Sequence, residues 1–247
     1  MKIEELKESF KNYVYNFNME DEQIALKFHH SNRVMDLCIK IAKYYNFDEN
    51  DYNLAATIGI LHDYARFTQW KEFKTYSDLK SFNHADKAVE LLFDNNEIVN
   101  FYSKKEDYPI IFDAIKYHNK LDIPQNLEKQ NLKMCKLIRD ADKIDIIYDI
   151  SIDKSLLPED DGEFSETIIN NFYNHKCANY KDIKCDNDNI LATLMFLYDL
   201  DYVYSFKYIK EHGLLEKMYK NIQNKDKFKE YFDYIINYVN KHILEKD

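Results

Sequence analysis

Apolar side chains recur every three or four residues along most of the chain, and this spacing predicts amphipathic α-helices. Only 3 Gly and 3 Pro occur, whereas a β-rich fold would need more of these turn residues. We therefore expect an all-α fold. The predicted helices cover about residues 3–17, 21–45, 50–66, 83–95, 109–119, 127–150, 163–179, 188–211, 214–221 and 225–244.

The pattern predicts one all-α domain over residues 1–247. Its helical core would cover about 21–150, and a C-terminal helical extension at about 163–247 would pack on that core. The best candidate loop is the stretch 151–162, which contains Pro158, Glu159, Asp160, Asp161 and Gly162. This acidic run lacks the EF-hand pattern, so we interpret it as a solvated loop rather than a calcium site.

Charge and hydropathy narrow the classes of partner. The formal net charge is -10 and there is no long basic run, which argues against a nucleic-acid groove. A small anionic substrate stays possible, because a bound cation dominates its local field. No apolar run approaches the ~20 residues of a membrane span, and the N-terminus lacks a signal region, so we expect no membrane partner and a cytoplasmic location. The oligomeric state is not indicated.

Several histidines lie in register with apolar helical faces, where they would point inwards. A single inward histidine is more often a satisfied core residue than a ligand, and one inward aspartate can be a core salt bridge. Several together favour a metal, which satisfies all of them at once. Each of these candidates lies one helical turn from an apolar core position: His30 from Val34, His62 from Ile58, His84 from Ala88, His118 from Ala114 and Asp142 from Ile138.

The dipeptide His62-Asp63 lets two neighbouring side chains reach one ion, since they point about 100° apart on a helix. Gly59 lies one turn before this dipeptide, and a glycine there indicates that another helix approaches closely. The alternative is that Gly59 is a neutral flexible position. Arg66 follows Asp63 by one turn and suits phosphate oxygens; a salt bridge to Asp63 or a surface position are its alternatives. Lys143 and Arg33 are weaker candidates for phosphate contact.

The order H…HD…H…H…D resembles the HD-domain superfamily of metal-dependent phosphohydrolases. The matching stretches are H-S-N-R-V (30–34), L-H-D-Y-A-R-F (61–67), N-H-A-D-K-A-V (83–89), I-K-Y-H-N-K (115–120) and R-D-A-D-K-I-D (139–145). The resemblance implies a helical bundle with additional C-terminal helices. It is closer to the symmetrical hydrolases of diadenosine tetraphosphate than to cyclic dinucleotide phosphodiesterases, because His118 precedes Asn119 rather than a second histidine.

By this resemblance, metal ligands are assigned by position in the motif. His30, His62, Asp63 and Asp142 match the minimal quartet, with Asp140 as the fallback for Asp142. His84 and His118 match the extra histidines of two-metal members, in which Asp63 would bridge both ions. Imidazole and carboxylate ligands suit one or two ions of Fe, Mn, Co, Ni or Zn.

The sequence thus predicts a phosphohydrolase in which a metal-activated water attacks a phosphoester or phosphoanhydride. Asp63 and Arg66 would be its catalytic residues, and Arg66, Lys143 and Arg33 its substrate contacts. The substrate would be a nucleotide or another small phosphorylated molecule. Two alternatives stay open at this point: a catalytically silent regulatory module that binds metal or nucleotide, and an HD-type nuclease.

Overall fold

A computed structural model describes residues 2–157 and 162–246, which form twelve α-helices and no β-strand. The all-α prediction is therefore confirmed. The predicted loop residues Pro158, Glu159, Asp160 and Asp161 lie outside the described residues. Within the described ranges, none of the helices combines the length and the apolar character of a transmembrane span.

Two compact units make up the chain, Met1–Ala141 and Asp142–Asp247. The first contains α1 (Ile3–Val14), α2 (Glu22–Tyr44), α3 (Glu49–Leu61), α4 (Arg66–Phe73), α5 (His84–Val89) and α6 (Tyr108–Tyr117). Helix α7 (Lys129–Ile152) contains the boundary. The second unit contains α8 (Glu166–Tyr173), α9 (Asp186–Leu194), α10 (Val203–Glu211), α11 (Leu214–Asn221) and α12 (Lys225–Lys246). The single-domain organisation stays a prediction.

In the first unit, α3 is the central helix and packs against α1, α2 and α6. Its residues from Leu54 to Leu61 are all buried, which explains why this segment is apolar on every side. Helices α2 and α3 approach very closely at Gly59, where a Cβ would lie 2.7 Å from the Cα of Met35. The predicted packing role of this glycine is confirmed.

In the second unit, α10 and α11 pack on α12, and α8 packs on α9. An aromatic cluster forms much of its core, with Phe172 edge-on to Tyr231 at a centroid distance of 5.3 Å. Asp188 is fully buried and accepts hydrogen bonds from the backbone N–H and hydroxyl of Ser165, so it ties α9 to the start of α8.

Three predicted helices differ from those observed. The helix predicted at 50–66 ends at Leu61, and α4 starts anew at Arg66 after a turn. The helix predicted at 163–179 ends at Tyr173, because His175 adopts a left-handed φ of 54° that a helix cannot contain. The helix predicted at 188–211 is interrupted where Leu200 is extended. All three breaks interrupt apolar periodicity without a Gly or Pro to mark them.

Candidate metal centre

Four helices of the first unit supply the histidines. His30 lies inside α2, and His84 is the first residue of α5, directly after the N-cap Asn83. His62 and His118 are the C-cap residues of α3 and α6. All four are at least 95% buried, with relative exposures of 3%, 5%, 0% and 3% respectively. The inward orientation predicted from the helical faces is therefore correct.

Helix ends fix the orientation of His62 and His118. The Nδ1 of His62 lies 2.8 Å from the carbonyl oxygen of Gly59, and that of His118 lies 2.6 Å from the carbonyl oxygen of Ile115. A carbonyl oxygen can only accept, so each Nδ1 carries the hydrogen and donates it. In the neutral ring, Nε2 then keeps a lone pair directed away from its own helix, which is the form that binds a metal.

Asp63 lies between two histidine pairs. Its Oδ2 is 3.5 Å from Nε2 of His30 and 3.7 Å from Nε2 of His62. Its Oδ1 is 3.4 Å from Nε2 of His84 and 3.8 Å from Nε2 of His118. Each carboxylate oxygen thus faces one pair, as a bridging carboxylate would. The five predicted ligands that belong to the first unit are brought together here.

Within each pair, the two Nε2 atoms face one another, at 3.2 Å between His30 and His62 and 3.0 Å between His84 and His118. In the second pair both Nδ1 atoms face oxygen acceptors, the carboxylate of Asp78 and the carbonyl of Ile115. When both rings are neutral, this arrangement directs their lone pairs at each other. A shared cation satisfies both, so this donor set fits a divalent metal.

Positive charge surrounds the central carboxylate. Burial alone would raise the pKa of Asp63, but the charges of Lys27 and Arg66, together with those of His62 and His84 when these rings are protonated, lower it well below its usual value. Lys27 Nζ is 2.8 Å from Oδ2 of Asp63, and Arg66 Nε is 3.4 Å from Oδ1. Asp63 is consequently ionised at neutral pH, as a metal ligand must be.

His84 is held neutral by its surroundings. Burial, followed by the charge of Arg66, lowers the pKa of its imidazole more than the hydrogen bond to Asp78 and the charges of Asp63 and Asp78 raise it. The neutral ring is the state that coordinates metals, so His84 needs no proton loss at neutral pH before binding an ion.

Arg66 is tied into the protein by several acceptors. One terminal nitrogen donates to Oε1 of Gln69 at 2.7 Å, to the carbonyl of Tyr76 at 2.6 Å and to Oδ1 of Asp78 at 3.1 Å. The ion pair with Asp63, which was the alternative to phosphate contact, is present. The Nε atom forms this ion pair at 3.4 Å from Oδ1 of Asp63, but it is buried and its hydrogen bonds to no acceptor.

Arg33, Lys143 and Asp142 are the remaining residues of the prediction. Arg33 is a half-buried residue of α2, and Lys143 donates to Asp199 at 2.7 Å within the second unit. Asp142 is half-buried on α7 at the first residue of the second unit, whereas the fallback Asp140 is fully buried. Their roles as ligand or substrate contacts stay predictions.

Sequence reasoning missed Lys27, Asp78 and Arg139. Lys27 precedes His30 by one turn of α2, and this spacing could have revealed it. Asp78 lies in the irregular stretch before α5, where no periodicity marks a position. Arg139 is buried and donates to the carbonyls of Tyr117, Lys120 and Leu121, so it secures the loop that follows His118.

Residues 28–147 match the family model of the HD domain. This range contains every residue proposed above as a metal ligand. The searches of curated proteins and of solved structures gave no match.

Proposed function

We propose that this chain is a phosphohydrolase, because residues 28–147 match the family model of the HD domain, which is typical of metal-dependent hydrolases. Its substrate would be a phosphoester or phosphoanhydride of a nucleotide or another small phosphorylated molecule. The observation that carries the proposal is the arrangement of two facing histidine pairs around the two oxygens of Asp63.

The proposed ligand set follows these pairs. His30, His62 and Oδ2 of Asp63 would hold one ion, while His84, His118 and Oδ1 would hold a second. Asp142 is added from its position in the A-D-K motif. Such ligands suit Fe, Mn, Co, Ni or Zn. When bound, divalent ions supply Lewis-acid polarisation of a phosphoryl group and activation of water.

The two cations next to Asp63 are the proposed substrate contacts. Lys27, whose side chain is 18% exposed, pairs with Oδ2 of Asp63, and Arg66 pairs with Oδ1 through Nε, whose hydrogen bonds to no acceptor. Both donors suit phosphate oxygens. We assign Lys27 and Arg66 the task of orienting the phosphoryl group and of offsetting its charge in the transition state.

A small substrate is favoured over nucleic acid by the charge of the chain. With a formal net charge of -10, the protein would repel a polyanion at long range. A small phosphate ester experiences mainly the local field of the site. The nuclease is therefore the less favoured alternative, and a silent regulatory module is the other.

The test is elemental analysis of anaerobically purified protein combined with phosphate release from nucleoside mono-, di- and triphosphates and dinucleoside polyphosphates. His118→Gln should lose metal and turnover together. His212→Gln is the matched control, because that histidine is exposed and lies outside the site. Metal-loaded protein that binds nucleotides but turns none over would support the regulatory module instead. Cleavage confined to single-stranded DNA or RNA would support the nuclease.

A further inference from the structure

Asp78 lies in a short 3₁₀ segment, Asp78–Lys80, just before the helix that begins at His84. Its carboxylate accepts hydrogen bonds from four side chains. These are Nδ1 of His84 at 2.7 Å, Nε2 of Gln69 at 3.0 Å, a terminal nitrogen of Arg66 at 3.1 Å and Nδ2 of Asn119 at 3.2 Å. Asp78 therefore contacts one proposed metal ligand, His84, and one proposed substrate contact, Arg66.

The bond to His84 decides where that ring carries its hydrogen. An ionised carboxylate can only accept, so Nδ1 of His84 must donate and Nε2 is left with a lone pair. His118 is fixed in the same form by the carbonyl of Ile115. If Asp78 were absent, His84 could move its hydrogen to Nε2 and donate it to Nε2 of His118, 3.0 Å away.

We propose that Asp78 is a positioning residue that keeps Nε2 of His84 free of hydrogen, so that the His84–His118 pair binds metal instead of closing on itself through a hydrogen bond. The proposal rests on the proposed function. A carboxylate that orients a metal-binding histidine in this way typically changes metal affinity or activity by about 10- to 100-fold when it is replaced.

Asp78 also keeps the segment between α4 and α5 in place. Gln69, which is fully buried, donates to Asp78 and to the hydroxyl of Ser81 at 2.8 Å. Because this anchor does not depend on Asp78 alone, an isosteric replacement should leave the fold of the segment intact. Asp78→Asn is thus a suitable variant, and Asp78→Glu tests whether another carboxylate restores function.

The first measurement is the tautomer of His84 in metal-free protein, by long-range ¹H–¹⁵N NMR spectroscopy. The native protein should carry the hydrogen on Nδ1, while Asp78→Asn should shift it towards Nε2. Asp107→Asn is the matched control: its carboxylate accepts from Tyr102 and Asn50, and the His84 tautomer should not change. An unchanged tautomer in Asp78→Asn would overturn the proposal.

The second measurement is metal binding by calorimetry with Co²⁺ or Mn²⁺. Asp78→Asn should weaken one binding event by about 10- to 100-fold and leave the other, at His30 and His62, near its native affinity. Asp78→Glu should recover most of the loss. Native affinity for both ions in Asp78→Asn would refute the inference. Failure of the native protein to bind any ion would instead refute the proposed function, while the tautomer would still test the role of Asp78.

Discussion

Replacing Gly59 with alanine tests how closely α2 and α3 must approach for the site to form. Alanine is the better helix former by about 1 kcal/mol, so helix propensity alone predicts a more stable protein. The added Cβ, however, would lie 2.7 Å from Cα of Met35, 3.1 Å from its backbone nitrogen and 3.1 Å from Sγ of Cys38. The two effects therefore have opposite signs.

The clash should dominate. A Cβ contact with backbone cannot be relieved by rotating a side chain, so α2 and α3 must separate. Overpacking of this kind costs about 1–3 kcal/mol, and a backbone contact places the cost near the upper end. After subtracting the gain of about 1 kcal/mol in propensity, we expect a net loss near 2 kcal/mol in the free energy of unfolding.

Separation of the helices should also weaken metal binding. His30 lies on α2, and His62 caps α3 and donates to the carbonyl of Gly59 itself. A change in helix spacing would therefore disturb the 3.2 Å approach of their Nε2 atoms. We expect Gly59→Ala to bind metal more weakly even under conditions in which it is fully folded.

Urea denaturation followed by circular dichroism measures the stability, and calorimetry measures the metal affinity. Asn53→Ala, at a half-buried position of α3, is the control for propensity and should be stabilised by up to about 0.7 kcal/mol. Adding Cys38→Ala removes one of the close contacts, and it should restore the stability of the Gly59→Ala variant only in part because the contact with Met35 remains. A Gly59→Ala protein that is more stable than the native one, with native metal affinity, would refute the reasoning.

Three further predictions concern charged groups. Lys27→Met removes a cation 2.8 Å from Asp63, so it should strengthen metal binding without substrate while lowering kcat/KM by roughly 10- to 150-fold, as calorimetry and steady-state kinetics would show. The Arg66→Ala variant should still bind its metal ions, and its kcat/KM should fall by a similar factor. A lower melting temperature with unchanged turnover would show instead that Arg66 has a structural role. Burial would raise the pKa of Asp188, but the hydrogen bonds from Ser165 and nearby groups lower it below 3.8. Asp188 therefore stabilises the folded protein at pH values above its pKa in the unfolded chain, and this stabilisation is lost as the pH falls through its pKa in the folded protein. Asp188→Asn should lower the free energy of unfolding by about 1.5–3 kcal/mol at pH 7. It should also weaken the dependence of this free energy on acid pH, as urea denaturation would show.

The all-α class was predictable because it depends on the helical spacing of apolar residues, which recurs along most of the chain. The ends of the individual helices were less predictable. α11 was predicted with its observed bounds, since Gly213 adopts a left-handed φ of 58° and marks its start. By contrast, the turn between Leu61 and Arg66 contains no glycine or proline. There the helix ends because His62 caps it with its own side chain, which periodicity cannot reveal.

The burial of the histidines and of Asp63 could be predicted because a polar side chain in register with an apolar helical face is unusual, and their role as metal ligands stays a prediction. Lys27 and Asp78 are different, because their importance comes from contacts across the chain. Lys27 meets a residue 36 positions away, and Asp78 reaches Asn119, 41 positions away. The spacing of Lys27 one turn before His30 is a weak signal in the sequence, and the loop residue Asp78 has none. Their distances to Asp63 and His84 identify them.

The four charged groups at and around Asp63 would suit a small phosphate substrate, as proposed, although the chain is acidic. Without ions, the charges of Lys27 and Arg66 balance those of Asp63 and Asp78, which form ion pairs with them. The bare site is thus formally neutral and can stay buried. Two divalent ions would then add four positive charges that these groups do not neutralise, and even with Asp142 as a ligand an excess of three remains. A phosphate group supplies the missing negative charge, so substrate binding and metal binding should each strengthen the other.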